Sequence, residues 1–91
     1  MSETDSTTGL THRELADLMR KNAGINVDPA ALVDNPTTPF EEYGLDSLGL
    51  LGIVATLENQ FGHPMPQDAE RCKTPREFLE LVNDTLMKSG A

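Results

Sequence analysis

Ser47 is the residue on which chemistry can be built: Gly44-Leu45-Asp46-Ser47-Leu48 sets a hydroxyl where a chain-stopping turn gives way to an apolar, helix-length run. A serine nucleophile would need a base, an oxyanion site and the strained GxSxG elbow, whereas the glycines at 44 and 49 frame GLDSLG. His12 and His63 are the available bases, and neither has a recognisable orienting partner. His63, among prolines in a turn, reads as an ordinary exposed imidazole. One cysteine, two distant histidines and no calcium-loop array of Asp and Asn argue against a metal centre. The adjacent Glu41 and Glu42 read as a solvated face. With no enzymatic constellation left, Ser47 is either a helix cap, for which Asp46 and Ser47 are both suitable, or an attachment point. A phosphodiester on Ser47 would sit at the amino end of a helix, where free N–H groups and the macrodipole favour an anion by up to about 1 kcal/mol.

The element that positions Ser47 is the run LGLLGIVATLENQF, residues 48 to 61, which carries no charge before Glu58. Leu50, Ile53, Val54, Leu57 and Phe61 recur at the spacing of a buried helix face. Leu48, Leu51 and Ala55 fall on a neighbouring face, so the helix is apolar over more of its circumference than one small core covers. That excess predicts a docking surface beside Ser47. Gly49 and Gly52 each cost about 1 kcal/mol relative to alanine, which makes the helix dependent on tertiary packing and leaves room for close approach by another group.

Around it the chain predicts an all-α domain: a small four-helix bundle of three main helices and one short one, with a long first loop. Residues 1 to 10 read as a disordered tail, 11 to 88 as the folded domain and 89 to 91 as a second tail. Thr11-His12-Arg13-Glu14 is a capping box opening a helix over 12 to 23, with Leu15, Leu18 and Met19 inward and Gly24 at its end. From Gly24 to Asp46 the prolines at 29, 36 and 39 limit regular structure to a turn or two. Ile25, Val27, Leu32, Val33, Phe40, Tyr43 and Leu45 are expected to pin this loop down. His63-Pro64-Met65-Pro66 stops the second helix, and residues 67 to 73 predict a short third one. Thr74-Pro75-Arg76-Glu77 opens the last, with Phe78, Leu81, Val82, Thr85 and Leu86 on one face and an end near Lys88. No period-two alternation bounded by hairpin turns competes.

The 91 residues carry a formal charge of −8, and no Lys or Arg occurs between Lys21 and Arg71, an interval that holds eight acidic residues. Nucleic acid and anionic membranes are excluded as partners on this count, and basic patches on other proteins are favoured through electrostatic steering. The single cysteine, Cys72, allows no internal disulfide and reads as a structural thiol. Neither a membrane span nor a signal peptide is evident, so a soluble cytoplasmic monomer is expected.

GLDSL followed by an apolar helix, then LENQFG, a proline-bounded loop and a helix opening TPREFLELVN together resemble an acyl carrier protein, over residues 11 to 88. The resemblance implies that a phosphopantetheinyl transferase converts Ser47, with Asp46 beside it, to a 4′-phosphopantetheine ester using coenzyme A. Acyl groups then ride as thioesters on the arm's thiol, and the carrier is not itself a catalyst. Gly49 and Gly52 stand where fatty acid carriers show acidic residues, and TPREFLELVN is similar to the discrete carriers of bacterial aromatic (type II) polyketide synthases. That likeness implies an acyltransferase, a ketosynthase with its chain-length factor, a ketoreductase and cyclases as partners in antibiotic biosynthesis. Leu48, Leu51, Ala55 and Glu58 are the docking residues it implies. A carrier for fatty acid synthesis or another modular pathway is the nearest alternative. An acidic helical adaptor, with Ser47 a mere cap and no prosthetic group, is the alternative of a different class.

Overall fold

The computed structural model of the protein describes residues 9 to 89, with side chains as far as Met87. The expected tail over residues 1 to 8 and the last two residues lie outside this range. Four α-helices follow one another: α1 (His12–Ala23), α2 (Pro29–Asp34), α3 (Ser47–Phe61) and α4 (Pro75–Ser89). Two 3₁₀ turns, Phe40–Tyr43 and Gln67–Arg71, complete the order, and there is no strand among the described residues. The fold is an all-α bundle.

Local chemistry sets the helix ends. Thr11 and Glu14 form the reciprocal capping box, and Gly24 closes α1 at φ 69°, a left-handed conformation that only glycine adopts without strain. At α4 the Thr74 hydroxyl accepts from the Glu77 N–H at 3.2 Å, and the Glu77 carboxylate reaches back to the Lys73 N–H at 2.9 Å, one residue beyond the usual capping box. The short α2 inside the long loop starts the same way. Asp28 accepts from the Ala30 N–H at 3.0 Å, and Pro29 takes the first helical position. By contrast, the helix expected at 67 to 73 is only a 3₁₀ turn, because it starts at Pro66 with no side-chain cap.

The core takes Leu15, Leu18 and Met19 from α1, Leu50, Ile53, Val54 and Leu57 from α3, and Phe78, Leu79 and Val82 from α4. Leu32, Phe40 and Leu45 anchor the long loop to it, with Ile25, Val27 and Tyr43 half-buried alongside. Val33 does not contribute. One residue past Leu32 on a helical turn, it faces solvent at 55% exposure. Leu10 corrects the expected tail boundary: it is buried, and the Asn83 side-chain amide both donates to its carbonyl and accepts from its N–H. The packed domain thus includes at least one residue placed in the tail by composition.

Two long-range backbone bonds fix the loop that leads to Ser47. Phe40 N–H donates to the Lys73 carbonyl at 2.7 Å, and Arg76 N–H to the Pro36 carbonyl at 3.0 Å. The Phe40 ring meets Phe78 edge to face, with centroids 6.0 Å apart.

Candidate functional site

Ser47 is delivered by three consecutive devices. The 3₁₀ turn Phe40–Tyr43 ends at Gly44, whose φ of 88° reverses the chain. Leu45 then plugs into the core, its N–H returned to the Phe40 carbonyl at 3.1 Å. Asp46 is extended, and its Oδ1 accepts from the Gly49 N–H at 2.8 Å, so Asp46 is the N-cap of α3 and Ser47 its first helical residue. The capping role that either residue could have filled therefore falls to Asp46. Ser47 is exposed, and its hydroxyl has no hydrogen-bond partner among the described residues. An exposed hydroxyl, uncommitted to capping and set at a helix amino end, fits the ester of an anionic prosthetic group.

Beyond Ser47, α3 divides as its spacing predicts. Leu48 is 77% and Leu51 44% exposed, and Ala55 is exposed as well, whereas Leu50, Ile53, Val54 and Leu57 are buried. Phe61, at the end of the inward row, is only half-buried. The glycines serve an internal purpose. A Cβ on Gly49 would meet Leu45 Cδ1 at 2.6 Å and Ala23 Cβ at 3.3 Å, and one on Gly52 would meet Asn22 Oδ1 at 3.2 Å. The close approach they permit is that of α1 to α3. Glu58 is half-buried, and its Oε2 accepts from the Met65 N–H at 2.8 Å, so this carboxylate braces the loop after α3.

Beside Ser47 opens a cavity of about 600 Å³, between the long loop, the start of α3 and the segment after the second 3₁₀ turn. Phe40, Leu45 and Leu50 give it an apolar floor, and Asp46, Glu41, Glu70, Cys72 and Lys73 line it with polar groups. The sequence reading did not bring these groups together. The two signals for them were the isolated thiol and the return of basic residues at Arg71 and Lys73 after a long acidic interval. Burial, with Glu77 and Asp68 nearby, pushes the Cys72 thiol up to about 11, and its Sγ donates to the Asp68 carbonyl at 3.4 Å. It is a quiescent, structural thiol.

Neither histidine lines this cavity, and no group of three or more metal-ligating side chains exists among the described residues. His63 is half-buried, its Nδ1 2.7 Å from the Pro64 carbonyl oxygen. Among the described residues no helix is long and apolar enough to cross a membrane.

Comparison with known proteins agrees with this geometry. Residues 13–82 match the family model described as phosphopantetheine attachment site. A probable acyl carrier protein of Streptomyces coelicolor is 53% identical over 81 residues, covering 89% of each chain. The curamycin polyketide synthase acyl carrier protein of Streptomyces cyaneus is 48% identical over 88 residues, covering 97% of this chain and 99% of the relative. Among solved structures, the actinorhodin holo acyl carrier protein of S. coelicolor superposes with a TM-score of 0.74 at 35% identity, covering 90% of this chain and 96% of that one. A family match over most of the chain, with full-length relatives of the same kind, leaves one conclusion: the chain belongs to the acyl carrier proteins, whose cofactor is phosphopantetheine.

Proposed function

We propose that this protein carries the growing intermediates of a polyketide synthase, tethered as thioesters on a phosphopantetheine arm borne by Ser47, and presents them to separate enzymes. The observation that carries the assignment of Ser47 is its free, exposed hydroxyl at the start of α3, with Asp46 doing the capping. The arm supplies the reactive thiol. The chain supplies position, through Gly44, Leu45 and Asp46, and recognition, through the exposed strip. It has no catalytic role of its own.

Leu48, Leu51 and Ala55 form the docking strip beside the attachment point, and Glu58 supports it by fixing the loop at its far end. The partners of this reading are the phosphopantetheinyl transferase, the acyltransferase, the ketosynthase with its chain-length factor, and the ketoreductase and cyclases. The carrier acts as a cytoplasmic monomer whose acidic surface steers encounters with basic patches on these enzymes. The acidic adaptor without a prosthetic group is set aside by the family match.

The test is a reconstituted minimal polyketide synthase. Wild-type holo protein should support product formation, and Ser47→Ala should give none while retaining the wild-type circular dichroism spectrum. Product from the alanine variant would refute the site. A holo protein loaded readily by fatty acid synthase components but not by polyketide components would refute the pathway.

A further inference from the structure

The acidic lining beside Ser47 holds one cation. Glu41, Asp46 and Glu70 share the cavity with Lys73, the only Lys or Arg among its described lining residues. Both backbone groups of Lys73 are committed: its N–H donates to Glu77 Oε1 and its carbonyl accepts from the Phe40 N–H. The side chain therefore springs from a fixed point at the cavity's edge. Arg20 and Lys21 are paired with Asp17 and Arg76 with Glu80, and Arg13 and Arg71, which make no ion pair among the described residues, do not line this cavity. Lys73 is exposed and has no ion-pair partner among the described residues, although three carboxylates line the same space.

The ammonium offers three donors and no acceptor. An arm leaving Ser47 brings an anionic phosphodiester to the mouth of this cavity, and a polyketide cargo brings carbonyl oxygens on alternate carbons. The apolar floor of Phe40, Leu45 and Leu50 accommodates a hydrocarbon chain without help. An oxygenated chain entering the same space gives up hydration at each carbonyl and needs a donor in return. Lys73 is the free cationic donor available there.

We propose that Lys73 binds the electron-rich oxygens of the group carried by Ser47, with the 3-oxo carbonyls of the cargo and the phosphodiester of the arm as the two sources. This rests on the reading that Ser47 bears the arm. In the first case Lys73 sets a preference for oxygenated over saturated cargo, and in the second it holds the root of the arm.

The experiment compares apo, holo, butyryl and 3-oxobutyryl forms of the isotope-labelled protein with the same four forms of Lys73→Met. The substitution keeps the stem length and both backbone hydrogen bonds. Intact mass is measured first, so failure to modify Ser47 is read separately as failure of the attachment assignment. The expected result is a shift of the Lys73 side-chain Cε resonance on going from butyryl to 3-oxobutyryl. Cleavage of the 3-oxobutyryl thioester by hydroxylamine, relative to the same thioester on free pantetheine, should be several-fold slower than in Lys73→Met, with butyryl indifferent to the substitution. A Lys73 shift already complete in the holo form supports binding and assigns the oxygen to the phosphodiester. Lys73 resonances identical in all four forms, or a butyryl to 3-oxobutyryl difference that survives in Lys73→Met, would overturn the proposal.

Discussion

The two faces of α3 are made of the same kind of residue and do opposite work. Leu50, Ile53, Val54 and Leu57 are almost fully buried, while Leu48, Leu51 and Ala55, one to two positions away along the same helix, are exposed. Hydropathy alone does not separate them; angular position does. A leucine on the first face is held by the bundle, whereas a leucine on the second faces solvent, where the proposed function needs a surface for partners. The lesson is that the apolar excess of this helix is not surplus core. On the proposed function it serves as a recognition strip, beginning one residue after Ser47.

Substitutions on the two faces should therefore separate stability from transfer. The largest stability effect is expected inside: Ile53→Ala or Leu57→Ala should lose about 2 to 5 kcal/mol in urea unfolding, since each leaves a cavity in a fully buried site. Leu48→Glu and Leu51→Glu should slow transfer to the ketosynthase, yet change stability by no more than about 0.5 kcal/mol, as surface substitutions do. Collapse of the bundle in either variant would move the strip into the core and erase the contrast.

The glycines sharpen the comparison on the α1 side. Alanine at Gly49 must displace the buried Leu45 methyl, and overpacking of this kind costs about 1 to 3 kcal/mol, only partly offset by a gain of about 1 kcal/mol in helix propensity. Gly52→Ala meets only the exposed Asn22 amide and should be the more stable of the two variants by thermal melting. Asp46→Ala should lose about 1 kcal/mol of capping, whereas Ser47→Ala should leave stability nearly unchanged because Ser47 caps nothing. Equal melting losses at 46 and 47 would contradict that division of labour. The smallest effect concerns Cys72. With its thiol raised to about 11, its thiolate is scarce at neutral pH. Alkylation of the native apo protein should run on the order of a hundredfold slower than that of an ordinary thiol and accelerate steadily up to that pH.

Much of this architecture is legible in the sequence because it is built from local signals. Thr11 with Glu14, Thr74 with Pro75, and the glycines at 24, 44 and 62 mark helix ends that the folded chain uses. The inward face of α3 and the exposure of Leu48 and Leu51 follow from spacing alone. What was not legible depends on contacts distant in sequence. Leu10 looked like tail because nothing near it signals that Asn83 pairs with its backbone from the far end of the chain. The six-residue α2, by contrast, stays within the turn or two that the prolines allow, and Asp28-Pro29 carries the same cap-and-proline cue as Thr74-Pro75. The cavity was invisible because it joins residues near 40 to residues near 72 across the Phe40 to Lys73 backbone bond. The bond from the Met65 N–H to the half-buried Glu58 carboxylate likewise joins a helix to a loop that no sequence pattern places beside it.

The central claim is that Ser47, and no other hydroxyl, accepts the prosthetic arm. Intact mass spectrometry after incubation with coenzyme A and a broad-specificity phosphopantetheinyl transferase tests it most directly. Wild-type protein should gain the mass of one phosphopantetheine group and Ser47→Ala none. An unmodified wild type, or a modified alanine variant, would contradict the account.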